Sequence, residues 1–293
     1  MTWGQNPTTG LPKYVFSQPS SSFFVLFLAI GCMWVGRQFR LAWQRRDSNN
    51  KTFELSRLLW SGAMTSWGAG AFLAGLSYEA LEWHLKCTSP AKSYCLQFSW
   101  LEIAYVILQV AACDVILLAV AFSSQVTSPR WFLVAVYVAA VDFLMYVCLV
   151  AVGALLGHVF FLSFEFCLIM GGIPMLGALL INIGSYLKLR FGTNTGIAVV
   201  PAAMEAQRRM VVSWVLMVIS GVAYYLYLET GIQYKLWCDY RIWATANDVL
   251  HILLLAWLWS LQAQADGIRD SRFVRNSLST MLFIPPAVPV HQD

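Results

Sequence analysis

The chain has 293 residues, of which 59% are apolar and only 12% charged, with a formal net charge of +4. Soluble globular chains carry roughly a quarter charged residues and under half apolar ones, so this composition excludes an ordinary soluble domain and points to a polytopic membrane protein. The positive charge is explained by membrane topology and requires no nucleic acid partner.

Seven predominantly apolar stretches are long enough to cross a bilayer. They run over 21–43, 58–83, 99–122, 131–153, 157–187, 210–230 and 241–263. Lipid offers backbone groups no partner outside the segment, so each is expected to be a helix. The runs are continuous, which argues against the ten-residue alternation of a barrel. The expected fold is all-α: a bundle of seven transmembrane helices over 21–265, preceded by a short outer segment at 1–20 and followed by a disordered cytoplasmic tail at 266–293.

The first twenty residues lack a basic n-region, so span 1 is expected to insert as an anchor without cleavage. It is followed by Arg37, Arg40, Arg45, Arg46, Lys51 and Arg57. Arg130, Lys188, Arg190, Arg208, Arg209, Arg269, Arg272 and Arg275 fall on the same side of the predicted topology, against Lys13, Lys86, Lys92, Lys235 and Arg241 on the other. The basic excess places the amino terminus outside or in a lumen and the carboxyl terminus in the cytoplasm.

Span 2 carries small residues every fourth position, Gly62, Ser66, Gly70 and Ala74, a spacing that lets neighbouring helices approach closely. The outer loop after it holds Cys87 and Cys95 around "TSPAKSY", readable as a disulfide or as two free thiols. Span 5 contains "MGGIPMLG", which predicts a kink or local unwinding at Gly171, Gly172 and Pro174. The many tryptophans near span ends form an interfacial belt. No long repeat is evident.

The distinctive feature is acidic. Glu79, Glu82, Glu102, Asp114, Asp142, Glu165, Glu229 and Asp248 lie in spans or at their ends, while no lysine or arginine lies deep in any span. Counted from the outer span ends at 1.5 Å per residue, Asp248 lies ~10 Å deep, His251 ~15 Å, Glu165 ~12 Å, Asp142 ~16 Å and Asp114 ~21 Å. Glu79, Glu82, His84, Glu102, His158 and Glu229 form a shallower ring, solvated near the interface. Asn247, Asp248 and His251 share one face of span 7 at three- and four-residue spacing. An ionised carboxylate at membrane depth costs ~2.5–3.5 kcal/mol. The acids are therefore protonated, face water, or surround a cation: a metal ion, a transported proton or an amine ligand.

Imidazole and carboxylate ligands suit zinc, and the chain resembles the superfamily containing alkaline ceramidases and the progestin and adiponectin receptors. The matching residues are Asp114 in span 3, His251 in span 7, and Ser77 with Glu79 or His84 late in span 2. The family's paired histidines on the last span are Asn247 and His251 here, and Ser77 and His84 are seven residues apart. The resemblance implies a zinc-dependent intramembrane hydrolase of a lipid amide or ester; read as a metal site, the acid–histidine cluster itself offers His251, Asp248, Asp114 and Glu79 as ligands, with Glu165 holding a ligand in place or acting as general base. Two other classes fit the acidic cluster: a proton- or cation-coupled transporter, and a seven-span receptor for a cationic ligand, although neither an "NPxxY" motif nor a span-7 lysine is present. All three have the lipid bilayer as partner.

Overall fold

A computed structural model describes residues 19–45, 55–80, 98–124, 129–191, 201–240, 242, 244–265, 267 and 268. Among these there are α-helices and short helical turns and no strand. The helices are α1 (Pro19–Gln44), α2 (Leu55–Ala74), α3 (Trp100–Ser123), α4 (Pro129–Leu156), α5 (Phe164–Phe191), α6 (Pro201–Glu229), the short α7 (Ile232–Tyr240) and α8 (Ala246–Gln262). A π-helical turn, Gly75–Ala80, extends α2, and a 3-10 turn, Val159–Leu162, precedes α5. Cys87 and Cys95 lie outside the described residues.

Local chemistry sets the helix starts. Pro19, Pro129 and Pro201 each occupy a first helical position, where the missing N–H costs nothing and the fixed φ already suits the helix. The other pattern is a reciprocal cap, at Ser99 before α3 and at Thr245 before α8. Gly157, at φ 72°, ends α4 in the left-handed region that glycine adopts without strain.

Each of the seven apolar segments coincides with a helix. Five of them, α1, α3, α4, α5 and α6, are long and apolar enough to cross a membrane; α2 and α8, with 20 and 17 residues, do not reach that standard. Wide apolar faces remain outside the bundle. On α1, Phe23, Phe27, Ile30 and Trp34 form an exposed stripe, and on α6 Val215, Val218, Ile219, Val222, Tyr225 and Leu226 do the same. Such surface suits lipid, not water. The chain is an integral membrane protein with a helical bundle.

Packing contacts close a ring in the order α1, α2, α3, α5, α6, α8 and back to α1, with α4 outside it against α3 and, more lightly, α5. One half of the ring is α1–α2–α3 and the other α5–α6–α8. Because α4 intervenes, corresponding helices of the halves run in the same direction, a relation invisible in the sequence as a repeat. The principal core lies toward the basic end, where Phe39 stacks on Trp60 at 5.6 Å and Trp67 meets Trp257 at 5.4 Å. Arg57 ties that end together: its Nε donates to the Ile268 carbonyl (2.7 Å) and its Nη1 to the Ala42 carbonyl (2.8 Å).

Two expectations about glycines change. On the span 2 ladder, Gly70 makes the expected close approach, to α3, where a Cβ would lie 3.0 Å from Gln109 Nε2, while Gly62 faces open space; toward α1 the tight approach is made by Gly68, outside the ladder, where a Cβ would lie 2.9 Å from the Ala29 carbonyl oxygen. The segment "MGGIPMLG" lies within one continuous helix that contains Pro174, so the local unwinding expected there does not occur. Gly171 and Gly177 there admit Cys113 and Leu117 of α3, each of which would meet an added Cβ at 3.2 Å. The glycines form a packing notch, and the interruption of the segment falls earlier, at the 3-10 turn before Phe164.

Candidate functional site

The polar residues singled out in the sequence separate into different places. The first is the start of α8. Helix α8 begins at Ala246, so Asp248 is its third residue and lies only ~3 Å along it, much shallower than a span starting at 241 implies. Its carboxylate is 3% exposed and fully engaged. Ser20 Oγ donates to Oδ2 (3.1 Å), Ser21 Oγ to Oδ1 (2.9 Å) and the Thr245 backbone N–H to Oδ2 (2.8 Å). The Asp248 N–H donates in return to Thr245 Oγ1 at 3.2 Å, completing a capping box. Asp248 therefore satisfies the first turn of α8 and fastens it to the start of α1. His251, one turn on, is half-buried, and its Nδ1 has no hydrogen-bond partner among the described residues; it lies within electrostatic range of Asp248.

The second place repeats this chemistry at the start of α3. Ser99 Oγ accepts from the Glu102 N–H (3.3 Å), and Glu102 Oε2 accepts from the Ser99 N–H (3.1 Å). Ser77, from the π-helical turn, donates to Glu102 Oε1 at 3.0 Å and lies 2.6 Å from Ser99 Oγ. Glu102 is 1% exposed, which corrects its reading as a solvated interface residue. Each half of the ring thus begins its third helix with a capping box whose buried carboxylate also accepts from a hydroxyl of another helical segment.

The third place is mid-membrane, between α3 and α4. Asp114 lies 14 residues from the start of α3, and Asp142 lies 14 residues from the end of α4. At 1.5 Å per residue both are ~21 Å from those ends. The helices are antiparallel neighbours, so the two acids lie at equal depth, and Asp142 falls within electrostatic range of Asp114. Each residue is 4% exposed. Neither oxygen of Asp114, nor Oδ2 of Asp142, has a hydrogen-bond partner among the described residues. No lysine or arginine occurs in α3, and the only one in α4 is Arg130, at its far end.

The remaining candidates stand apart. Glu165 is exposed on the first turn of α5, within electrostatic range of Tyr224. The Glu79 backbone belongs to the π-helical turn, and its side chain is outside the described residues, as is the whole of His84. Exposed His158 caps the 3-10 turn through its backbone.

Zinc requires at least three protein ligands, and among the described residues no group of three or more histidine, cysteine, aspartate or glutamate side chains could hold a metal ion. Asp248 has both oxygens committed to hydroxyl and backbone donors. The described residues do not fit a zinc centre. No protein-family model, no curated protein and no solved structure matches this chain.

The caps at Ser99 and Thr245 are written in the sequence. Both match the pattern of a hydroxyl residue followed three positions later by an acid. The pairing of Asp114 with Asp142 was legible only as a coincidence of depth, because which helices are neighbours is set by packing.

Proposed function

We propose that the chain is a seven-span membrane protein, with its amino terminus outside and its carboxyl terminus in the cytoplasm, that works as a proton- or cation-coupled carrier through Asp114 and Asp142. The observation that carries this reading is the two acids themselves: buried carboxyl groups at mid-membrane, with both oxygens of Asp114 and Oδ2 of Asp142 lacking a hydrogen-bond partner and no basic side chain paired with them among the described residues. Left ionised, each costs ~2.5–3.5 kcal/mol on the most lenient insertion scale, before their mutual repulsion is added. One exchangeable cation held between them, a proton when no substrate is bound, removes that repulsion. Acids at this depth are typical of ion pathways.

The ring supports the same reading. Two three-helix halves running in the same direction, joined by one additional helix, resemble the parallel repeats on which some carriers are built. The zinc-hydrolase reading has less support, since Asp248 serves as a cap and no ligand trio is present among the described residues. A receptor for a cationic ligand would draw on the same two carboxylates.

The test uses the purified protein in liposomes loaded with a pH-sensitive dye, with an imposed proton gradient and a panel of inorganic and organic cations outside. Wild-type protein is expected to dissipate the gradient, and Asp114→Asn and Asp142→Asn to abolish that flux. Flux unchanged in both variants contradicts the proposal. Elemental analysis of the same preparation decides the hydrolase: a stoichiometric metal, lost in His251→Ala, favours it.

A further inference from the structure

A groove of about 330 Å³ opens between the first turns of α6 and the last turn of α8, lined by Arg208, Arg209, Val212, Ser260, Ala263 and Gln264. We propose that it binds the phosphate group of an anionic phospholipid headgroup. Its location on the cytoplasmic face rests on the orientation proposed above; its chemistry does not.

The groove wall is a built polar network. Gln264 is 3% exposed, and its Nε2 donates to Ser213 Oγ at 2.7 Å and to the Ser260 carbonyl at 3.3 Å. Ser213 and Ser260 share a hydrogen bond of 2.6 Å, and Ser213 also reaches the Arg209 carbonyl at 3.2 Å. These bonds lock the two helices together, and they leave the buried Gln264 Oε1 with no donor among the described residues.

The rim supplies charge. Glu205 engages Nε and Nη2 of Arg208 and Nε of Arg209, each at 2.8 Å. One carboxylate thus holds two guanidinium groups in place and leaves one positive charge uncompensated. Arg208 Nη1 and both terminal nitrogens of Arg209 make no hydrogen bond among the described residues. Arg208 also lies within electrostatic range of Tyr186, whose hydroxyl accepts from Arg190 Nη1 at 3.2 Å, so the basic patch extends onto α5. Guanidinium groups match phosphate oxygens in geometry and charge. Val212 and Ala263 give the groove an apolar side that continues toward the exposed lipid-facing surface of α6, where acyl chains lie. A basic pocket between membrane helices at this level has the makeup of a lipid-headgroup site.

Native mass spectrometry of the full chain in mild detergent, titrated with phosphatidylglycerol, phosphatidylinositol or phosphatidylcholine, tests the proposal. The two anionic lipids are expected to bind more tightly than phosphatidylcholine. A basic residue near an anionic surface contributes ~1 kcal/mol, or about fivefold, so Arg208→Gln with Arg209→Gln should weaken anionic-lipid binding roughly 25-fold. Glu205→Gln removes the opposing negative charge and at least one of the three guanidinium hydrogen bonds, and should tighten it several-fold. Equal binding of anionic and choline lipids overturns the proposal, as does unchanged affinity in the double variant. If the double variant fails to fold, Glu205→Gln decides: affinity unchanged or reduced overturns the assignment. Displacement of the lipid by millimolar inorganic phosphate supports the phosphate contact and assigns the groove to a soluble phosphate compound; no displacement supports the lipid.

Discussion

Replacing Asp248 separates a structural role for this acid from a metal-ligating one. Its carboxylate accepts from Ser20, Ser21 and the Thr245 N–H at 2.8–3.1 Å while almost fully buried. Asp248→Ala strands all three donors and undocks α1 from α8. A hydrogen bond to a charged group contributes ~1.5–3 kcal/mol; allowing for partial relaxation of the two serines, the loss is on the order of 3–5 kcal/mol, the range found when one partner of a buried charged pair is removed. That is two to three and a half decades in the unfolding equilibrium. Asp248→Asn keeps one carbonyl oxygen as acceptor, and a serine hydroxyl can rotate to accept from the new amide, so its cost is about 1 kcal/mol. Reversible unfolding in mixed detergent micelles, followed by helicity, reads both numbers. An Asp248→Ala protein as stable as wild type refutes the capping assignment. So does a pair of variants that lose activity equally while neither loses stability, which is the signature of a ligand.

The equivalent test at α3 is Glu102→Ala, which removes the acceptor for Ser77 and the Ser99 N–H and should cost on the order of 2–4 kcal/mol, with Glu102→Gln recovering most of it in the same unfolding assay. Gly68→Val drives a branched side chain into the Ala29 carbonyl and Met33 and should destabilise by ~1–3 kcal/mol through overpacking. Gly62→Ala, facing open space, should be neutral or stabilising by up to ~1 kcal/mol through helix propensity. Equal destabilisation at both glycines would show that the four-residue ladder, and not Gly68, carries the approach of α2 to α1.

Hydrophobic runs are a strong signal because membrane helices must satisfy their own backbone groups, and helices indeed occupy every segment read from the sequence. Side-chain partners are a weaker signal. Asp248 and His251 look like a deep ligand pair when span 7 is taken from hydrophobicity alone, yet Thr245 starts the helix later and makes the aspartate a cap. Glu102 looks solvated by its position near a span end, but Ser77 reaches it from a π-helical turn that no periodicity announces. Gly171 and Pro174 suggest a break, and the close approach of α3 turns the glycines into a notch within one helix. The proximity of Asp114 and Asp142 depends on α3 and α4 being neighbours at a particular rotation, which helical packing decides and a single sequence leaves open.

The proposed carrier role requires Asp114 and Asp142 to share one exchangeable cation, a proton in the resting protein. Infrared spectroscopy of the reconstituted protein at neutral pH, in the absence of candidate substrates, reads it through the carbonyl stretch of a protonated carboxyl group. Such a band is expected in wild type, shifted by deuterium exchange, moved in frequency by either Asp114→Asn or Asp142→Asn and removed only when both are replaced, since burial keeps a lone remaining acid protonated. A spectrum with no protonated-carboxyl band, or one that both variants leave unchanged, would contradict it.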